Sequence, residues 1–272
     1  MRKNYVVLLL LLSISIALAA CGNNDKAQNQ SGQGAETEQT LLDKIKKNGV
    51  IRIGTEGTYA PFTFHDKDDK LTGFDVELAR EVAKRLGLKA EFIETKWDGM
   101  FAGLDAKRFD IVANQVSIRD DRKEKYDFSD PYIVSKAVLI VHQDNEEIKK
   151  LADLAGKKAG QSLTSNLLDI AKSNGAEIVP TDSFNQAIDL LIAKRTDATV
   201  NDGLSFLDFK KQQPDAPIKV VDEADKASES GFLFNKGNPE LVEVVNKALA
   251  EIKADGTYLK ISEAYFGADV SK

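Results

Sequence analysis

The segment from Ala113 to Arg122 carries side chains suited to binding a small charged molecule. It reads Ala-Asn-Gln-Val-Ser-Ile-Arg-Asp-Asp-Arg and directly follows a short apolar stretch that predicts a strand. The guanidinium of Arg122 offers paired donors in a fixed fork, which matches the geometry of a carboxylate. One hydroxyl and two amide side chains add further polar groups, those of Ser117, Asn114 and Gln115. The pattern therefore favours a bound carboxylate group.

A second group of polar side chains lies in the other half of the chain. The segment from Gly160 to Asn166 predicts a helix N-terminus, which is also suited to an anion. Its hydroxyl and amide caps are Thr164, Ser165 and Asn166. Asp202 ends the next predicted strand with a carboxylate that can hold an ammonium group. A carboxylate site and an ammonium site together fit a zwitterion, meaning a free amino acid.

The segment after the first predicted strand presents a carboxylate and an aromatic ring together. Glu56 lies between Gly54 and Gly57, which allow close backbone approach, and Tyr59 follows two residues after Gly57. Each of these features also has an ordinary structural explanation when it is taken singly. Asp and Ser are common helix caps, and Arg122 has three acidic neighbours with which it can form a surface ion pair, Asp120, Asp121 and Glu124. The residues alone leave both explanations open.

Strands and helices alternate along most of the chain and must position these side chains. Strands are predicted at residues 50–54, 89–93, 110–112, 136–141, 156–159, 178–179, 198–200 and 231–234. Helices are predicted at residues 41–48, 74–86, 97–104, 166–172, 184–193, 239–252 and 258–265. This alternation is typical of parallel sheets flanked by helices, and it is too long for one sheet of ordinary size. We therefore expect two α/β lobes, with a ligand beyond the carboxyl ends of the strands.

The first residues of the chain indicate export. A basic start at Arg2 and Lys3, an apolar run and Leu-Ala-Ala before Cys21 are typical of an export signal over residues 1–20. Leu-Ala-Ala-Cys resembles the bacterial lipobox, whose cysteine becomes the new N-terminus and carries lipid. The alternative is an ordinary secretory signal beside a chance cysteine. Residues 21–40 are small and polar after Cys21, so we expect a lipidated cysteine followed by a flexible tether.

Composition narrows the function classes. Hydrophobic residues make up 42% and charged residues 29% of the 272 residues, as in ordinary folded domains. A net charge of −6 argues against nucleic acid as a partner. The only two histidines, His65 and His142, are far apart, and no Cys/His spacing predicts a metal site. We expect neither a cofactor nor a metal.

Several motifs in order resemble those of one protein family. They are Gly54 to Phe62, Leu71 to Glu77, Trp97 to Met100, Asn114 to Ser117 with Arg122, Tyr126 to Tyr132, and Asp255 to Tyr258. Together they resemble the polar amino-acid solute-binding proteins of ABC importers, the bacterial extracellular solute-binding protein family 3. The resemblance covers nearly all of residues 41–272. Within the family, the segments at 54–59, 95–100, 114–116 and 161–166 look most like those of the L-cystine-binding members.

The resemblance implies a fold and a set of contacts. Two lobes of mostly parallel sheet, joined by two crossover strands, would close on one amino acid. Lobe 1 would hold residues 41–137 and 227–272, and lobe 2 residues 138–226. The implied contacts are Arg122 with Ser117 for the ligand carboxylate, Asp202 for its ammonium, Tyr59 and Trp97 as apolar walls, and Glu56, Asn114, Gln115, Thr164, Ser165 and Asn166 around them.

The expected role is transport without catalysis. The chain would bind L-cystine on the outer face of the cytoplasmic membrane, anchored by lipid on Cys21, and deliver it to a membrane permease with its ATPase. Several relatives of basic or neutral amino-acid type carry small serines where this chain has Asn114 and Gln115, and larger amides suit a ligand with two polar ends. Another polar amino acid is the main alternative. A dehydratase-type enzyme on the same fold would need a general acid or base, for which Glu56 stands alone, and an adhesin or signalling receptor is a third possibility.

Overall fold

The computed structural model describes residues 39–272 of the chain. The predicted export signal, Cys21 and nearly all of the predicted tether lie outside these residues. Thr40, the last residue of that tether, caps the first helix instead. Its side chain accepts a hydrogen bond from the backbone N–H of Asp43, and the Asp43 carboxylate accepts one from the backbone N–H of Thr40. This reciprocal capping box begins the folded body at Thr40.

The described residues form short strands and helices that alternate. The strands are β1 (Val50–Thr55), β2 (Thr58–Tyr59), β3 (Thr63–His65), β4 (Leu71–Thr72), β5 (Lys89–Glu94), β6 (Ile111–Ser117), β7 (Tyr126–Phe128), β8 (Ile133–Ser135), β9 (Ala137–His142), β10 (Lys158–Gln161), β11 (Glu177–Pro180), β12 (Ala198–Asp202), β13 (Ile218–Glu223) and β14 (Ser228–Asn235). The helices are α1 (Leu41–Asn48), α2 (Phe74–Arg85), α3 (Met100–Asp105), α4 (Asp120–Lys123), α5 (Asn166–Ser173), α6 (Phe184–Ile192), α7 (Gly203–Gln212), α8 (Pro239–Ala254) and α9 (Thr257–Phe266). Short 3-10 helices cover Trp97–Gly99 and Leu151–Leu154. No helix in residues 39–272 is both long enough and apolar enough to span a membrane.

The strands form two large mixed sheets. The first has the order β5-β1-β6-β14-β7, with β8 also paired to β14, and the second has the order β11-β10-β12-β9-β13. In each sheet the first three strands are parallel, and the strands after them are antiparallel. We call each large sheet with its flanking helices a lobe, lobe 1 for the first and lobe 2 for the second. The predicted α/β fold with two lobes is confirmed.

The chain crosses between the lobes twice. It leaves lobe 1 after β8 and enters lobe 2 at β9, and it returns between β13 and β14. Each lobe has its own apolar core, because the parallel strands are covered by helices on their faces. In lobe 1 the core includes Ile51, Ile53 and Phe232, all fully buried. In lobe 2 it includes Leu139 and Val200. Two cores joined by two crossovers allow the lobes to act as separate bodies.

Most predicted elements are present, and the differences have clear causes. Strand β6 runs to Ser117 rather than ending at residue 112, so the polar residues after Val112 belong to the strand. The polar side chains at 114, 115 and 117 break the apolar pattern, but backbone pairing with β14 continues past them. Helix α7 and strand β13 were not predicted. Leu207 of α7 is 63% exposed, so the apolar residues of that helix do not share one face.

Candidate ligand-binding site

A cavity lies between the two lobes. Every residue predicted to contact a ligand lines it except Arg122 and Thr164. Those that line it are Glu56, Tyr59, Trp97, Asn114, Gln115, Ser117, Ser165, Asn166 and Asp202. The carboxyl ends of β1, β6, β10 and β12 meet at this place, which explains why segments distant in sequence converge.

Arg122 lies directly behind the cavity wall and is 7% exposed. Its guanidinium donates to the carbonyl oxygens of Ser117 at 3.1 Å and Thr164 at 3.3 Å. It also lies over the rings of Trp97 and Phe101, at 5.6 and 5.1 Å from their centres. No carboxylate of the described residues comes within 4.0 Å of it, and burial lowers the pKa of Arg122 to about 10. A buried cation with no ion-pair partner in residues 39–272 therefore adjoins the cavity.

Asp202, in contrast to Arg122, has several hydrogen-bond donors around its charged group. Its Oδ1 accepts the backbone N–H of Leu204 at 2.8 Å, so Asp202 is the N-cap of α7. Its Oδ2 accepts the amide of Gln115 at 2.9 Å and the hydroxyl of Ser135, both from lobe 1. Burial raises the pKa of Asp202 above its ordinary value. The carboxylate thus joins the lobes and also supports its own helix.

Glu56 and Asn114 form a paired unit on the lobe 1 side of the cavity. The backbone N–H of Glu56 donates to Asn114 Oδ1 at 2.7 Å, and Asn114 Nδ2 donates to Glu56 Oε2 at 2.9 Å. Asn114 is 1% exposed, so its amide is held in place. Burial raises the pKa of Glu56 to about 7, and Asp98 contributes further repulsion. The pair presents a carboxyl group whose charge is sensitive to a nearby cation.

Tyr59 and Trp97 were predicted as apolar walls, and both line the cavity. Tyr59 also has a polar contact, because its hydroxyl donates to Asn201 Oδ1 across the lobes at 3.0 Å. Trp97 is 8% exposed and packs edge-on against Phe101, with ring centres 5.5 Å apart. The same indole lies next to the Arg122 guanidinium. Trp97 therefore connects the cavity to the buried cation.

The predicted helix N-terminus in lobe 2 is present. Ser165 is the N-cap of α5 and accepts the backbone N–H of Leu167 at 3.1 Å. Thr164 does not line the cavity; its backbone N–H and its hydroxyl donate to Asp98 Oδ1 of lobe 1 at 3.0 and 2.7 Å. Asp98 also accepts the backbone N–H of Leu163 at 3.3 Å. Leu163 and Thr164, at the edge of lobe 2, are thereby hydrogen-bonded to lobe 1.

Sequence reasoning missed the part of the cavity that the crossovers supply. These residues include Ser135, Ala137, Ala224, Lys226, Ser228 and Ser230. They lie on antiparallel strands or connections, where the rule that ligands bind beyond parallel strand ends gives no signal. Ser162, Ser183 and the ring of Phe184 in lobe 2 were also missed, although they follow the parallel strands β10 and β11. Only the approach of the two lobes brings them together.

The family model described as bacterial extracellular solute-binding proteins, family 3, matches residues 51–268. The chain belongs to this family. It is 50% identical over 274 residues to the L-cystine-binding protein TcyA of Bacillus subtilis (strain 168), covering 100% of both chains. The family resemblance read from the motifs is thereby confirmed.

Two solved structures differ in how their lobes compare with this chain. The unliganded open L-cystine solute receptor of Neisseria gonorrhoeae is 50% identical, with 86% of this chain and 100% of that chain covered, and its TM-score is 0.58. An ancestral arginine-binding protein bound to glutamine is 42% identical, with 80% and 98% covered, and its TM-score is 0.77. The more similar sequence thus has the less similar shape. The structure is nearer in overall shape to the liganded relative, and hydrogen bonds cross the cavity between its lobes.

Proposed function

We propose that this protein is the extracytoplasmic substrate-binding subunit of an ABC importer and that its ligand is L-cystine. The observation that carries the proposal is the charge arrangement at the cavity. Arg122 is buried without a carboxylate partner among the described residues, and Asp202 is buried on the other lobe. A buried unpaired charge is costly, and a ligand carboxylate at Arg122 removes that cost. A ligand ammonium at Asp202 completes the match to a free amino acid.

The choice of cystine rests on the second polar end of that molecule. Cystine carries two zwitterionic groups joined by a disulfide. Glu56, held by Asn114, supplies a carboxyl group suited to the distal ammonium, and the rings of Tyr59 and Trp97 offer polarizable surface to sulfur. The name of the relative from Bacillus subtilis supports the same ligand. A site built for polar groups disfavours ligands that leave them unpaired, so monomeric amino acids should bind less tightly.

Binding is coupled to lobe closure in this proposal. The lobes comprise residues 41–137 with 227–272 and residues 138–226, and they hinge at the two crossovers. Ligand stabilises the closed arrangement only through its greater affinity for that arrangement. A membrane permease with its ATPase then binds the protein in this closed arrangement. The binding residues remain Arg122, Asp202, Ser117, Tyr59, Trp97, Glu56, Asn114, Gln115, Ser165 and Asn166, with Thr164 acting through Asp98 and Arg122.

The direct test is calorimetry on the folded body, residues 39–272, under non-reducing conditions. We expect L-cystine to bind at least about tenfold more tightly than glutamine, histidine, arginine or glutamate, a difference of about 1.4 kcal/mol. Addition of a reductant should remove the cystine signal. A monomeric amino acid that binds more tightly than cystine would refute the ligand and leave the amino-acid-binding role intact. Binding of none of them would refute that role.

The membrane anchor is a separate part of the proposal. Cys21 is the only cysteine in the chain, and the Leu-Ala-Ala-Cys sequence provides the attachment point. More than one acyl chain on Cys21 is needed for stable anchoring, because a single chain binds membranes only marginally. Cys21→Ala should release the protein from the membrane fraction, as fractionation and gel mobility will show. Cys21→Ala protein that stays in the membrane at unchanged mobility would contradict the anchor.

Catalysis is not part of the proposed role. A dehydratase-type reaction requires a positioned acid or base in the cavity. Among residues 39–272, Glu56 and Asp202 are the carboxyl groups that line the cavity; Glu56 is tied to Asn114, and neither histidine lines the cavity. Incubation of the purified protein with prephenate or arogenate should therefore give no turnover. Release of product at a rate above the buffer control would contradict this view.

A further inference from the structure

Asp75 is a buried carboxylate that neither the sequence analysis nor the ligand contacts explain. It is the second residue of α2 and is fully buried. Its Oδ2 accepts the Tyr132 hydroxyl at 3.1 Å and the backbone N–H of Gln115. Its Oδ1 has no hydrogen-bond partner among the described residues. Such a group costs stability, so its retention at this place calls for a reason.

The backbone of Gln115 is unusual at the same place. Its φ is +48°, in the left-handed region that side chains other than glycine rarely adopt. Val112 pairs with Leu233 and Val116 with Gly231, so three residues of β6 lie opposite one residue of β14. This is a β-bulge, a feature that redirects a side chain at the edge of a functional site. The Asp75 carboxylate holds the N–H at the centre of the bulge.

The redirected side chain of Gln115 crosses to the other lobe. Its Nε2 donates to Asp202 Oδ2 at 2.9 Å and to Ser135 Oγ at 3.2 Å. Both oxygens line the cavity, and Asp202 is the carboxylate proposed to hold the ligand ammonium. A continuous path of hydrogen bonds therefore runs from Asp75 through Gln115 to Asp202. Gln115 can therefore orient the acceptor in addition to the ligand contact expected from sequence.

We infer that Asp75 is a positioning residue for the ammonium site: it holds the Gln115 bulge, and Gln115 in turn orients Asp202 for the ligand. This inference rests on the proposed binding of an amino acid but not on which amino acid binds, because every amino acid carries the ammonium group. Burial raises the pKa of Asp75 to about 7, as expected for a carboxyl group enclosed by the protein. A purely structural role would not depend on Gln115.

The test is a double-mutant cycle between Asp75→Ala and Gln115→Met, read by calorimetry with L-cystine. Gln115→Met removes the side-chain donor and keeps the backbone N–H that Asp75 accepts. We expect each single variant to weaken binding about tenfold, or about 1.4 kcal/mol, and the double variant to lose no more than about twofold beyond either single one. Losses that multiply to about a hundredfold in the double variant would overturn the inference.

Tyr132→Phe is the matched control. It removes the other donor to Asp75 Oδ2 and leaves Gln115 in place. We expect a lower melting temperature with an affinity within about twofold of wild type. If Asp75→Ala does not fold, Gln115→Met still tests whether Gln115 orients Asp202 for the ligand. An unchanged affinity in Gln115→Met overturns the inference.

The wild-type titration separates this inference from the proposed function. If cystine does not bind, the cycle is run with whichever of glutamine, histidine, arginine or glutamate does bind. If wild type binds and Asp75→Ala also binds within about twofold, only the positioning role of Asp75 fails. If wild type binds no amino acid, both the proposed function and this inference fail.

Discussion

The two charged ends of the cavity differ in how completely the protein itself satisfies them. Asp202 accepts hydrogen bonds from its own helix and from two side chains of lobe 1, so its carboxylate is largely provided for before any ligand arrives. Within residues 39–272, Arg122 donates to two backbone carbonyls and has aromatic rings on its face. The ligand carboxylate therefore gains more binding free energy at Arg122 than the ligand ammonium gains at Asp202. The carboxylate end should therefore dominate the affinity.

The largest effect is expected from Arg122→Met, which keeps most of the side-chain volume and removes the charge. Ligand affinity should fall by about 3 kcal/mol, more than a hundredfold, because the ligand carboxylate is left buried and unpaired. The free energy of unfolding without ligand should stay the same or rise, because an uncompensated buried cation is gone. Calorimetry and urea denaturation measure the two quantities. Lys123→Met on the same short helix is the control, since that side chain is 56% exposed.

A loss of both affinity and stability in Arg122→Met would break the comparison, because Arg122 would then be a structural residue with a partner of its own.

The next effect is expected from Asp202→Asn. Asn caps a helix about as well as Asp, so α7 keeps its N-cap while the charge is lost. Affinity should fall by about 2 kcal/mol, less than for Arg122→Met, with little change in the free energy of unfolding. Asp202→Ala should bind as poorly and also lose about 1 kcal/mol of stability with the cap. An affinity loss in Asp202→Asn larger than that of Arg122→Met would reverse the comparison.

A pH effect is expected from Glu56. Burial raises its pKa from 4.5 to about 7, so the folded protein holds a proton there that the unfolded chain releases. The contribution of Glu56 to stability is then fully present below about pH 4.5 and is lost as the pH rises to about 7. The free energy of unfolding should decrease between pH 5 and 7.5 by about 2 kcal/mol less in Glu56→Gln than in wild type.

Urea denaturation at several pH values, without ligand, measures this slope. Asp75 adds a slope of the same sign, since burial raises its pKa to about 7 as well, so some pH dependence should remain in Glu56→Gln. Identical slopes in wild type and Glu56→Gln would show that Glu56 is ionised in the free protein. Glu56 would then add a full negative charge to the cavity.

The smallest effect is expected where Asp98 of lobe 1 contacts the edge of lobe 2. Asp98→Ala removes the acceptor of three hydrogen bonds from Leu163 and Thr164 and should lower affinity by about 1 kcal/mol, because the closed arrangement loses these contacts. Lys96→Met breaks the nearby pair with Asp182, which is 72% and 62% exposed, and should cost at most about 0.5 kcal/mol. Equal effects in the calorimeter would remove any special role for Asp98.

Residues at the ends of parallel strands were predictable because local pattern marks them. The apolar run of β12 followed by Asp202, and the Ser165 cap at the start of α5, are readable without any tertiary information. The length of β6 was not readable. Its polar residues interrupt the apolar pattern, and only pairing with β14, more than a hundred residues away, continues the strand to Ser117.

The sequence by itself determined the α/β alternation, the segments that reach the cavity and the family to which the chain belongs. Those features depend on local periodicity, on helix caps and on motifs of a few residues. Three features follow from the folded structure only: Arg122 has no ion-pair partner in residues 39–272, Asp202 is shared between its helix and Gln115, and Asp75 accepts the backbone N–H of the bulge. The physical reason is that burial and hydrogen-bond partnership come from the approach of distant strands and of the two lobes, and no short stretch of sequence encodes which groups will be left without a partner.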